Sequence, residues 1–222
     1  MSEELLQKKL NTRGIIVGNY EYYNIGNTNL NDLKIHHIVP SKDYKHYGLR
    51  KPDALLVDRR NKKGVNVILA IEWKSSEKLA KEQDKIIAIQ QCNDVAQEIG
   101  AKIGLVTDGQ KFIWFNPNHG IKFNEYKDKT TQKNRSYAFI KDEKGDNLNK
   151  PFIIDQKKNQ TNINDLSPQT KKSIELINKI LKFIGRQNSK LIKSPTVNPA
   201  GLATQIWQDI WSCSGATPEK AL

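Results

Sequence analysis

The alternation across residues 65–74, VNVILAIEWK, constrains this chain more than any other stretch. Val65, Val67, Leu69, Ile71 and Trp73 interleave with Asn66, Ile68, Ala70, Glu72 and Lys74. A period of two with β-branched residues predicts a strand. Residues two apart on a strand share a face, so Glu72 and Lys74 point one way and Ile71 and Trp73 the other. A short apolar run at residues 54–57 precedes it, separated by the basic turn RRNKKG, where Gly64 allows a positive φ. The two runs read as an antiparallel hairpin. Asp53 heads the first strand and Glu72 lies near the end of the second. Closing the hairpin therefore brings Asp53, Glu72 and Lys74 together.

That set suits metal-assisted phosphoryl chemistry. Asp53 and Glu72 offer hard oxygen ligands for Mg²⁺, for which Mn²⁺ can substitute, and the backbone carbonyl of Trp73 is a further candidate ligand. A bound divalent ion stabilises charge on a phosphoryl oxygen and activates water. Lys74, a compact point charge, can hold the scissile phosphate or the attacking water.

After Lys74 the period changes. Over residues 77–100 apolar side chains fall at helical spacing, with Ile87, Val95 and Ile99 on one stripe and Gly100 as the C-terminal cap. Gln91 falls on the same stripe, which predicts a buried amide needing a polar partner. Gln90, Asp94 and Gln97 are assigned to the solvent side. Residues 102–107 (KIGLVT) read as a buried strand, Asp108-Gly109 as a tight turn, and residues 111–115 (KFIWF) as the return strand. Strand, helix and strand predict a right-handed βαβ unit in a mixed sheet flanked by helices.

A Pro-Asp pair, a strand and then Glu-x-Lys resemble the core of the PD-(D/E)xK nuclease superfamily. The stretch from IEWK through EIGAKIGLVTDGQKFIWF is similar to the N-terminal endonuclease domain of type IIG restriction-modification enzymes and of type I restriction motor subunits. The resemblance covers roughly residues 1–155, and its specific part is residues 52–115. It implies a restriction-endonuclease-like α/β fold and a Mg²⁺-dependent hydrolase cutting DNA phosphodiester bonds, with Asp53, Glu72, Lys74 and Gln91 as catalytic residues. It also implies a contribution from an acidic residue on the first helix. Glu3, on an amphipathic helix expected over residues 2–10 with Leu6 and Leu10, fits that place. In the family a Tyr follows four residues after the Gln, and here Val95 stands there.

The remaining sequence fits a nucleic-acid partner. Net charge is +12 over 222 residues, which favours a polyanion, double-stranded DNA first among them. The loop SKDYKHYGLRK interleaves Tyr44 and Tyr47 with Lys45, Arg50 and Lys51, which are candidate phosphate contacts. Two distant cysteines, Cys92 and Cys213, argue against a disulfide framework and fit a cytoplasmic location. Apolar runs stay below the roughly 18 residues a membrane span needs.

His36-His37-Ile38-Val39-Pro40 looks like the opening of an HNH nuclease motif, with Asn61 and His46 downstream, but the Pro-Asp strand interrupts the ββα pattern such a motif needs. The alternative is a strand ending at Pro40 with one of the two histidines partly buried. Strands are expected at residues 14–17 and 20–23. Residues 137–140 and 152–154 should pair around the turn KGDN. Residues 156–165 read as a linker and residues 166–222 as a helical extension. Ser167 and Pro168 open its first helix, Ile174, Ile177, Leu181 and Ile184 form the stripe, and Gly185 ends it. A last helix near residue 200 carries Trp207 and Trp211. By resemblance this extension begins a connector to a methyltransferase domain, where S-adenosylmethionine or ATP would be used, and recognition would lie in a further domain. The competing readings are a stand-alone nuclease pairing two copies through these helices for double-strand cleavage, and a non-catalytic DNA-binding module of the same fold.

Overall fold

The computed structural model describes residues 14–61, 63–117, 124–155 and 159–193. Two compact units divide at Lys182/Phe183 rather than within the expected linker at 156–165. The first is an α/β unit built on a mixed sheet of seven strands. The described part of the second is the end of a long helix.

In chain order the strands are β1 (Ile15–Val17), β2 (Tyr20–Asn24), β3 (Ala54–Asp58), β4 (Asn66–Trp73), β5 (Ile103–Thr107), β6 (Phe112–Asn116), β7 (Tyr126–Lys127), β8 (Asn134–Arg135) and β9 (Ala138–Phe139). The large sheet has the order β1-β2-β3-β4-β5-β6-β9, while β7 and β8 form a separate hairpin. All neighbours in the large sheet are antiparallel except β4 and β5. A parallel pair needs a long crossover. Here helices α2 (Ser76–Ala80) and α3 (Glu82–Ile99) supply it. The single helix expected over residues 77–100 is thus two, broken at Lys81, whose backbone is extended. Gly100 caps α3 with φ +69°, as its position predicts.

Alternation sorts the sheet into two faces. Leu55 lies opposite Ala70, and Gly104 and Val106 follow on the same face, under α3. Gly104 is required there, because a Cβ would stand 2.1 Å from the Phe115 ring. On the other face Tyr22 and Trp114 pack on Phe152, with ring centroids 6.3 and 6.1 Å apart. Each fully buried Leu, Ile or Phe contributes about 1.5–3 kcal/mol. Phe152 is therefore a core residue and not part of the expected strand at 152–154. The turn KGDN is closed by a bridge between Lys141 and Asn147 instead.

Other expectations are also corrected. A short helix, α1 (Leu30–Ile35), ends at His36, so no strand leads to Pro40. His36 and His37 are both exposed, and Ile38 and Val39 are the buried residues. No ββα unit forms around them. Gln160 bridges to Val17 and accepts from Gly18 N at 2.8 Å, so this part of the expected linker is docked on β1. Helix α4 (Pro168–Lys193) starts at the predicted Pro168 but continues through Gly185. Its Ser173 Oγ donates to the Ile153 carbonyl at 2.8 Å. Among the described residues no helix is long and apolar enough to cross a membrane.

Candidate active site

Hairpin β3–β4 carries the predicted constellation. Ala54 pairs with Ile71 and Leu55 with Ala70. One further step of this register sets Asp53 opposite Glu72, on the face that α3 covers. The strands hold together past their last regular pair: Asp53 N donates to Ile71 O at 3.1 Å. The Asp53 carboxylate then reaches across, and its Oδ2 accepts from Trp73 N at 2.6 Å. In extended backbone a residue's N–H and C=O point to the same side. The Trp73 carbonyl, a candidate ligand, is therefore directed toward Asp53 as well. Lys74 Nζ donates to Glu72 Oε1 at 2.6 Å, and both side chains are mostly buried, at 13% and 15% exposed. Lys74 N in turn donates to Thr107 O at 2.9 Å, so the parallel neighbour β5 fixes its backbone.

Cys92 shows that these groups share one space. It sits on the sheet side of α3, its Sγ 3.7 Å from the carbonyl oxygens of both Ala70 and Leu105. Burial pushes its thiol well above the ordinary range, with the Glu72 charge next, and Asp53 adds to the rise while Lys74 opposes it. One sulfur therefore feels all three site charges. Tyr22 on β2 is raised by burial and then by the Asp53 charge.

A divalent-ion role can be tested on the donor set. Asp53 and Glu72 are two hard carboxylates on one face, with the Trp73 carbonyl on the Asp53 side of β4. Among the described residues no group of three or more His, Cys, Asp and Glu side chains is arranged to hold a metal ion. The set fits an ion that keeps several waters and takes substrate oxygens, as Mg²⁺ does, and does not fit a closed protein cage.

Gln91 departs from its prediction. It is exposed, whereas Ala88 and Val95, each about a turn away, are buried. The buried arc of α3 runs through Ala88, Ile89, Cys92, Ala96 and Ile99 and includes Asn93 and Asp94. The face assignment was rotated because the hairpin β7–β8 covers a side of the helix that the sequence marks as polar. Gln91 thus needs no buried partner and stands on the flank of α3. Glu3 lies outside the described residues. Lys45, Arg50 and Lys51 are exposed, as phosphate contacts require, but Tyr44 and Tyr47 between them are buried core.

A second ionic cluster has little local signal in the sequence. Arg135 donates from Nε to Asp128 Oδ2 at 3.1 Å, from Nη1 to Gln97 Oε1 at 2.9 Å, and from Nη2 to Tyr47 OH and Glu98 Oε1, both at 2.8 Å. Asp94 Oδ1 is 3.4 Å from Nε and accepts from Tyr126 OH at 2.5 Å. Burial raises Asp128 and Glu98, but their hydrogen bonds outweigh it and hold both carboxyls below the usual range. For Asp94 burial wins, and its carboxyl is raised. The available signal was Asp94 and Glu98 one turn apart in a basic chain.

No family model, curated protein or solved structure matches this chain.

Proposed function

We propose that this chain is a metal-dependent endodeoxyribonuclease domain of the restriction-endonuclease-like class. The observation that carries the reading is the placement of Asp53 opposite Glu72 at the open end of one hairpin, with Lys74 Nζ 2.6 Å from Glu72. Two carboxylates and a lysine brought to one face match the needs of phosphodiester hydrolysis. Asp53 and Glu72, with the Trp73 carbonyl, would hold Mg²⁺ or Mn²⁺, which when bound neutralises phosphoryl charge and makes water more acidic. Asp53 is oriented by its bond from Trp73 N, and Glu72 by its bond from Lys74. Lys74 would meet the scissile phosphate with its ammonium and help position the attacking water. Gln91, exposed on α3, would act by contacting substrate rather than by supporting the carboxylates from within the core.

The reading extends to a restriction-modification setting, with S-adenosylmethionine or ATP used in other domains. That extension rests on the motif resemblance at residues 52–115. The test is cleavage of supercoiled plasmid in Mg²⁺ and in Mn²⁺ by the wild-type chain and by Asp53→Asn. Nicking that disappears in Asp53→Asn supports the assignment. A wild-type chain that binds the plasmid and leaves it intact in both metals favours a non-catalytic binding module.

A further inference from the structure

A cavity of about 380 Å³ opens between residues 43–47, Glu98 and residues 130–133. We infer that it is a phosphate subsite for the backbone of duplex DNA, separate from the Asp53–Glu72–Lys74 group and resting on the nucleic-acid reading above.

The first argument is how charge is sorted by depth. On the loop at residues 42–51, Lys42, Lys45, Arg50 and Lys51 are exposed. On the hairpin β7–β8, Lys127, Lys129 and Lys133 are exposed. The acids of the same region lie deeper: Asp128 is 1% and Asp94 8% exposed. Glu98 is bonded to Arg135 at 2.8 Å and to Lys42 at 3.4 Å. Asp43 is the one exposed acid of the two segments, and its Oδ1 accepts from Lys45 N at 2.9 Å. The outer surface of both walls is therefore predominantly cationic, while the cavity lining itself holds two acids, Asp43 and Glu98, beside Lys45 and Lys133.

The second argument is that the walls are prebuilt. Lys45 has φ +44° and Gln132 φ +59°, and both line the cavity. Non-glycine residues there are strained and persist only when the surroundings impose them. The surroundings do so here. Asp128 Oδ1 accepts from Thr130 N at 2.8 Å and its Oδ2 from Thr131 Oγ1 at 2.6 Å. Gln132 N donates to Asp128 O at 2.8 Å. The two walls are tied by Arg50 Nη2 to Thr130 Oγ1 at 3.1 Å and by Arg135 to Tyr47 OH. Ordering cost is thus met during folding, which favours a ligand entering a fixed site. Lys45 and Lys133 stand on opposite walls, and His46 lies beside Lys45. Arg50 and Lys51 continue the cationic track along the chain to Pro52 and Asp53.

The test is fluorescence anisotropy of a labelled DNA duplex with the full chain in EDTA, across a salt series, so that cleavage plays no part. The double variant Lys45→Gln/Lys133→Gln is compared with a control of equal charge loss, Lys172→Gln/Lys179→Gln on α4, and thermal melting checks both folds. Loss of two phosphate contacts should weaken binding at least about tenfold and reduce the slope of log affinity against log salt by about 1.8, with the control near wild type. Unchanged affinity and slope in the double variant would overturn the subsite. So would an equal loss in both variants, or no duplex binding by the wild type at low salt. Tighter wild-type binding to RNA or single-stranded DNA of the same length would overturn its assignment to duplex. The nuclease reading is judged separately by plasmid cleavage. Cutting with no effect of the double variant sinks only the subsite, and binding without cutting sinks only the nuclease.

Discussion

Arg135 and Lys74 are both cations set among carboxylates and mostly shielded from water, yet what their bonds accomplish differs. Arg135 reaches Tyr47, Gln97, Glu98 and Asp128, residues drawn from three distant segments, and so ties α3, the hairpin β7–β8 and the loop before β3 together. Lys74 bonds Glu72, a residue two positions away on its own strand. That bond closes no loop and joins no elements. Shielding two carboxylates and a lysine costs solvation free energy, and around Arg135 the topology explains the cost. At the end of β4 the proposed site for a divalent cation and a phosphate would account for it. On the proposed reading, the contrast is between an ionic cluster that serves the fold and one that serves chemistry.

The sharpest separation should come from Arg135→Met. Three carboxylates would lose their cation, two of them buried, and breaking such a cluster costs about 3–5 kcal/mol. Urea unfolding should show that loss, and any fall in cleavage should track the unfolded fraction. Lys74→Ala should do the reverse. Removing one group that meets transition-state charge costs roughly 10²–10³ in rate, while stability falls far less than for Arg135→Met. Equal stability losses in the two variants would erase the distinction.

Acid unfolding probes the Arg135 cluster together with Asp58 and Asp108, whose carboxyls are also held low, and the comparison with Arg135→Met isolates the cluster. Asp128 and Glu98 are held low in the fold, so their contribution is present above the ordinary carboxylate value of about 4 and is lost as pH falls through their lowered folded values. Asp94 is raised, so its contribution runs the other way: it is present below its ordinary value and lost as pH rises through the folded one. The lowered Asp128 and Glu98 thus act to lose stability in acid, and the raised Asp94 opposes them. Melting temperature should fall below about pH 4 in the wild type, and the fall should be shallower in Arg135→Met. An identical acid limb in both would show that the cluster contributes nothing there. The smallest effect is expected for Gln91→Ala, whose exposed amide should leave stability within about 0.5 kcal/mol. A larger loss by urea unfolding would restore a supporting role in the core.

What the sequence made legible follows from the range of the interactions involved. The hairpin β3–β4, the parallel crossover to β5, the Gly100 cap and the Asp53–Glu72–Lys74 face all follow from local period and register, which alternation at residues 65–74 displays directly. The rotation of α3 is not legible because Asp94 and Asn93 are polar and still buried, with Asp94 bonded to Tyr126 and Arg135 and the Asn93 Nδ2 donating to the carbonyl of Ser136. Those partners lie 32 to 43 residues away, and no local pattern announces them. Phe152 was assigned to a strand because an apolar triplet looks the same whether it pairs in a sheet or packs against one face. Partial burial is expected for one of His36 and His37, but it is Ile38 and Val39 that enter the core, with His37 taking φ +56° at the turn.

The reading of Asp53, Glu72 and Lys74 as one metal site is tested most directly by calorimetric titration of Mn²⁺ into the chain with a non-hydrolysable DNA duplex present, wild type beside Glu72→Gln. A saturable heat of binding in the wild type that is lost in Glu72→Gln is the expected result. The same isotherm in both proteins, or no binding in either, would contradict it.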